Sequence, residues 1–199
     1  MRIIAGKYRS RQLKSPKNLD LRPTSDRLRE TLFDILGELV VGSRFIDTFA
    51  GTGAVGIEAL SRGASEVVFI EKYPHPSALI KKNLESLEIE TGARVLPVDA
   101  LHGMEILAKE NSSSEQVLNI FFLDPPYDHA SDYDRVLSFL GSATLFSDGT
   151  LVIVEHRRKF DLPEAVGNLQ RVRVLRQGDA ALSFYRLRKN SSGNETAAE

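Results

Sequence analysis

The chain of 199 residues contains no cysteine. That excludes disulfides, thiolate metal sites and any cysteine nucleophile. Its four histidines (His75, His102, His129 and His156) are scattered without metal-ligand spacing. Each reads as an ordinary surface or loop histidine, and no metal is expected. No apolar h-region opens the chain and no apolar run approaches membrane-spanning length, so the reading is a soluble, cytoplasmic protein, monomeric by default. The sequons at Asn111, Asn190 and Asn194 then mark polar loops only. Net charge is nearly absent too, at −1, but the balance is uneven. Residues 1–30 hold nine basic and three acidic side chains, and the remainder is acidic. A basic arm on an acidic body points to a polyanionic partner met by the N-terminus.

What is present alternates. Residues 1–20 read as short extended basic pieces, forming an arm. Thr24 to Leu39 has helical spacing, with Leu28, Leu32, Ile35, Leu36 and Leu39 on one face. Strands are expected at 44–49, 66–71, 93–99, 117–123 and 149–156, with helices between them at 54–62, 76–87, after Leu101, and from a Ser131 cap to Gly141. Two late strands follow, "LQRVRVLR" and "ALSFYRLR", joined by a turn at Gln177-Gly178-Asp179-Ala180. This pattern predicts an α/β, Rossmann-like three-layer sandwich with a mostly parallel sheet and an antiparallel strand near one edge. The domain is expected over 21–188, and the polar tail 189–199 is expected to be disordered.

Gly51-Thr52-Gly53-Ala54-Val55-Gly56 follows a strand, opens a helix and fits G-x-G-x-x-G. Glu71 lies 20 residues beyond Gly51, where a carboxylate can accept from ribose hydroxyls. NAD and S-adenosylmethionine both suit such a loop. Asp47, just before the glycines, would attract an ammonium or sulfonium group and repel a pyrophosphate. Asp99 could accept from an adenine amine. Carboxylates thus end four strands: Asp47, Glu71, Asp99 and Asp124.

The fourth strand ends in Asp124-Pro125-Pro126-Tyr127. Prolines cannot extend a ladder, so the strand stops in a stiff turn. An amine conjugated to an aromatic base is a poor nucleophile. Acceptors that take its N–H bonds favour a pyramidal nitrogen; the Asp124 carboxylate and a proline carbonyl would supply them, and Tyr127 would stack the base. The base must leave its own stack to arrive there.

"DPPY" resembles the D/N-P-P-Y motif of amino-group methyltransferases, and "DTFAGTG" resembles their cofactor loop. With "MRIIAGKYRSRQL", "LRPTSDRLRETLFDIL", "FIEKYPHP" and "VEH" in the same order, residues 1–188 resemble the RsmD family. Those enzymes methylate the N2 amine of one guanine in 16S ribosomal RNA. The resemblance implies a class I methyltransferase fold with a seven-stranded sheet and a reversed last strand. It also implies S-adenosylmethionine as cofactor, and the 30S subunit or its precursor as partner. Asp124, Pro125, Pro126 and Tyr127 would then be catalytic. Asp47, Phe49, Ala50, Gly51, Gly53, Glu71, Lys72, Asp99, Ala100 and Thr24 would bind the cofactor, and Lys7, Arg9, Arg11, Lys14, Arg22 and Arg27 the RNA. Arg29 would line the cofactor or RNA side. Ser10 and Thr48 stand where the family pattern carries glycine and leucine. Rival readings are an amino-methyltransferase acting on DNA adenine or protein glutamine, an NAD-dependent oxidoreductase, and a non-catalytic RNA-binding factor.

Overall fold

The computed structural model describes residues 1–15, 25–110, 118–125, 130–142 and 149–188. Helix α1 (Asp26–Leu36) begins at Ser25, whose hydroxyl accepts from the Leu28 amide. It ends where Gly37 takes φ +49°, so it is shorter than its periodicity implies and Leu39 falls in an exposed 3-10 turn, Gly37–Val40. The chain then alternates as β1 (Arg44–Asp47), α2 (Ala54–Ser61), β2 (Glu66–Ile70), α3 (Pro74–Ser86) and β3 (Ala93–Leu96). It continues as α4 (Ala100–Glu110), β4 (Asn119–Leu123), α5 (Ala130–Ser142) and β5 (Leu151–Arg157). Three strands close it: β6 (Ala165–Val166), β7 (Leu169–Gln177) and β8 (Ala180–Leu187). Helix α5 is described from Ala130, one residue before the expected Ser131, whose side chain lies outside the described part.

Among the described residues the sheet has eight strands in the order β3-β2-β1-β4-β5-β8-β7-β6. The first five are parallel, and β8 lies reversed between β5 and β7. The expected seven strands are present; the two-residue β6 is an addition at the edge. Strands β1, β2 and β4 are buried nearly throughout because both sheet faces are covered. Phe45, Val67, Phe69, Ile120 and Phe122 pack with α1, α2 and α3 on one face. Ile46, Val68, Ile70, Phe121 and Leu123 pack with α4 and α5 on the other.

The basic arm is part of this packing. Residues 1–13 double back, with Ile3 N–H donating to Arg11 O (3.0 Å) and Leu13 N–H to Met1 O (3.1 Å). Ile3 and Leu13 are buried in the first core. Gly6 touches the end of α2 so closely that a Cβ there would lie 1.8 Å from the Ser61 carbonyl oxygen. His156 departs from the surface reading: it is buried on β5, with Nε2 2.9 Å from Ser183 Oγ and Nδ1 2.9 Å from Arg157 O. Burial holds its pKa below the ordinary histidine value.

Candidate active site

The carboxyl ends of β2, β1 and β4 lie side by side, because these strands are neighbours and parallel. β1 stands where the chain order reverses, with β2 on one side and β4 on the other. Open α/β sheets bind ligands in the crevice at such a point.

The glycine loop fills one side of that crevice. Gly51 (φ +53°) and Gly53 (φ +78°) both take the left-handed conformation, and Gly53 caps α2. Gly56 has another role: a Cβ there would meet the Phe69 ring at 2.3 Å, so its absence lets α2 lie on β2. Two carboxylates brace the loop. Asp47 Oδ2 accepts from the Gly56 amide (2.9 Å), and Glu71 Oε2 accepts from the Gly51 amide (2.9 Å). The other Glu71 oxygen accepts from the Tyr73 amide at 2.8 Å. Burial pushes the Asp47 carboxyl up to about 7; the Gly56 amide opposes this and the Glu71 charge adds to it.

The remaining predicted cofactor residues are spread along the same edge. Ala50 is buried and bonded to the β2 end, its amide 3.1 Å from Ile70 O. Phe49 packs on the second core. Lys72 is exposed, its ammonium 4.9 Å over the Tyr73 ring. Asp99 lies beyond β3 and its Oδ1 accepts from the His102 amide (3.1 Å), capping α4, whose first residue is Ala100.

Asp124 and Pro125 follow β4 directly, Asp124 half-buried and Pro125 buried. The β1–β4 register pairs Asp47 with Phe122, so Asp124 stands two residues past the partner of Asp47. Pro126, Tyr127, Arg22 and Thr24 lie outside the described residues, as does the tail after Arg188.

Arg29 does not line the site. Its guanidinium is fully buried, 3.7 Å from Glu58 Oε2, and donates to Asp26 (3.0 Å) and to Arg2 O (2.6 Å). Glu58, the partner, also accepts from the Ile4 and Ala5 amides, at 2.8 and 3.0 Å. A lone carboxylate inside the apolar α2 pattern is the signal that marks it in the sequence.

Lys7, Arg9, Arg11, Lys14 and Arg27 are all exposed. They are not together. The Lys7 amide bonds Ser61 O and the Arg11 guanidinium bonds Ser86 O, at the far ends of α2 and α3 from the glycine loop. An eight-residue helix puts about 12 Å between those places. Lys14 is nearer the loop: Asn83 bonds both its amide and its carbonyl, and also Thr52 O at 3.1 Å. A second set of exposed cations escaped the sequence reading despite the run "HRRKF". Arg158 and Lys159 follow β5, and Arg176 is near the end of β7, which runs parallel to β5. These stand at the same sheet edge as Asp124. Among the described residues no His/Cys/Asp/Glu cluster could hold a metal, and no helix is long and apolar enough to cross a membrane.

The family described as Conserved hypothetical protein 95 matches residues 1–186. Ribosomal RNA small subunit methyltransferase D of Escherichia coli (strain K12) is 35% identical, covering 100% of this chain and 94% of its own. YlbH of Bacillus subtilis (strain 168) is 32% identical over 94% of this chain and 100% of its own. The solved structure of yhhF from Escherichia coli superposes with a TM-score of 0.76 at 34% identity, covering 94% of this chain and 97% of that one. TrmN from Thermus thermophilus shares the fold at 20% identity, with a TM-score of 0.65 over 84% of this chain and 51% of that one.

Proposed function

The chain belongs to the ribosomal RNA small subunit methyltransferase D family, and from that premise we propose that it methylates the exocyclic N2 amine of a guanine in 16S rRNA. The carrying observation is Asp124-Pro125, set at the end of β4 beside the glycine loop of β1. S-adenosylmethionine is the donor in this reading, and the residues suit it. A buried carboxyl whose proton affinity is raised by burial, at Asp47, is matched to a cationic amino-acid ligand. Gly51, whose added Cβ would meet nothing nearer than 4.0 Å, leaves its turn of the loop without a side chain, while Gly53 makes room for Ile80 and Phe69 of the core. Asp47, Phe49, Ala50, Gly51 and Gly53 would hold the amino-acid end, and Glu71, Lys72, Asp99 and Ala100 the nucleoside. Each carboxylate oxygen of Glu71 already accepts one amide and retains a lone pair for a ribose hydroxyl. When bound, this cofactor supplies an electrophilic methyl group.

The chain's own residues then act on the amine. Asp124 accepts an N–H of the guanine N2 and turns its lone pair outward. It takes up the proton that the nitrogen loses as it becomes methylated, because an arylamine turns acidic only at that stage. Pro125 stiffens the position, so little reorganisation accompanies the reaction. Phosphates of the RNA are met by exposed cations, which hold it without reading sequence.

The test is methyl transfer from a labelled donor to 30S particles from cells lacking such an enzyme, followed by nucleoside analysis. Labelled N2-methylguanosine is expected. Label in another nucleoside, or in ribosomal protein, overturns the guanine-N2 reading and leaves the fold.

A further inference from the structure

The end of β5 carries a carboxylate that the proposed chemistry has not used. The β4–β5 ladder is parallel and its last step pairs Leu123 with Val154. The next residues along it are Asp124 and Glu155. Parallel strands run about 4.8 Å apart, so the two α-carbons are close neighbours across the crevice edge. Both side chains fall on one face. Leu123 and Val154 belong to the core under α4 and α5, and alternation sends the following residue to the opposite side. Glu155 is paired across the sheet with Leu182, which lies in the core under α1, α2 and α3. Asp47 is on that same side, through its bond to Gly56 of α2. Glu155 is 5% exposed, well removed from the water that ordinarily surrounds a glutamate.

Resting on the guanine-N2 reading, we infer that Glu155 is the residue that selects guanine, by accepting the N1–H while Asp124 accepts from the N2 amine. Guanine presents these two donors side by side on one edge. Carboxylates at the ends of two adjacent strands can each accept from one of these donors, the side chains converging on the base. Adenine turns the lone pair of N1 toward the same place, so a carboxylate there repels it. 2-Aminopurine is the informative analogue: it keeps the N2 amine and replaces N1–H by a lone pair. Donors and acceptors that a buried site cannot satisfy are rejected more strongly than missing bulk.

The experiment uses the full chain and 30S particles reconstituted with 16S rRNA ligated to carry 2-aminopurine in place of the guanine found to be methylated, or that guanine itself. Wild type is expected to favour guanine by about 100-fold in kcat/KM, from the discrimination of one good edge contact. Glu155→Gln can donate to N1 as well as accept, so its preference is expected to shrink to under about tenfold. Retention of the full wild-type ratio in Glu155→Gln, with both substrates slowed equally, assigns the residue a structural role and overturns the inference. Equal use of both bases by wild type overturns it without any variant, even if the variant fails to fold. Failure of wild type on guanine itself would instead count against the parent reading.

Discussion

The guanidinium of Arg29 and the carboxylate of Glu58 meet at 3.7 Å with both side chains fully buried. The pair joins three segments. Arg29 belongs to α1, Glu58 to α2, and Glu58 holds the arm through the Ile4 and Ala5 amides. Removing Glu58 takes away the buried partner of Arg29, leaving it Asp26 and Arg2 O, and strips the Ile4 and Ala5 amides of their acceptor. Glu58→Ala is therefore expected to lower stability by roughly 3–5 kcal/mol, read by urea unfolding. Proteolysis in the first 15 residues should rise together with that loss. A change under about 1 kcal/mol would mean that water replaces the carboxylate.

Asp47 predicts a proton-linked cofactor site. With its carboxyl at about 7, the folded chain retains a proton between pH 3.8 and 7 that the unfolded chain has released. Stability from this group is thus fully present below pH 3.8 and falls as pH rises to about 7. A cationic ligand favours the ionised form. Affinity for S-adenosylmethionine should rise up to about tenfold per pH unit below 7 and level off above it, with a proton released on binding. Calorimetry in buffers of different ionisation enthalpy reads this release, and Asp47→Asn should abolish it.

Ser10 sits in the left-handed region at φ +68°, where the family pattern carries glycine. Its amide bonds Ile3 O at 2.9 Å, so the hairpin of the arm holds the residue there. Ser10→Gly is expected to raise stability by about 1 kcal/mol, measured by thermal unfolding. Ser10→Val should lower it.

Asp124→Ala should reduce methyl transfer by more than about 100-fold. Cofactor affinity should stay within about threefold of wild type, because the glycine loop is braced by Asp47 and Glu71 instead. A variant that transfers at near wild-type rate would remove Asp124 from the chemistry.

The two groups of exposed cations make separable predictions about RNA. Deleting the arm is a poor test, since Ile3 and Leu13 belong to the core. Charge removal is cleaner. Arg158→Gln with Lys159→Gln, at the sheet edge of Asp124, should raise KM for RNA more than Lys7→Gln with Arg9→Gln near the end of α2. Each contacting cation removed should flatten the log–log salt slope by about 0.7. Equal slopes in all variants would deny phosphate contacts to both groups.

Much of this was legible in the chain because the signals are local. Strand alternation, the glycine run, the proline stop after Asp124 and the acid at position 71 each express short-range backbone constraints, and short-range constraints survive into any fold that satisfies them. The family resemblance added the order of these signals. Local reasoning erred where a residue's partner is distant. Arg29 read as a residue of the cofactor or RNA side, yet its partner Glu58 lies 29 positions on, across a packed interface. His156 read as a surface histidine, yet β8 folds back beside β5 and covers it.

The sequence alone determined the order of strands and helices, where β4 ends, and that Asp124 follows it, since period and turn chemistry act within a few residues. The tertiary structure alone decided that β8 enters between β5 and β7, that the arm is bolted to α2 and α3 through Glu58 and Asn83, and that β5 lies beside β4 with Val154 opposite Leu123. Those outcomes depend on burial and pairing between residues far apart in the chain, which exist only once the sheet has closed and both of its faces are covered.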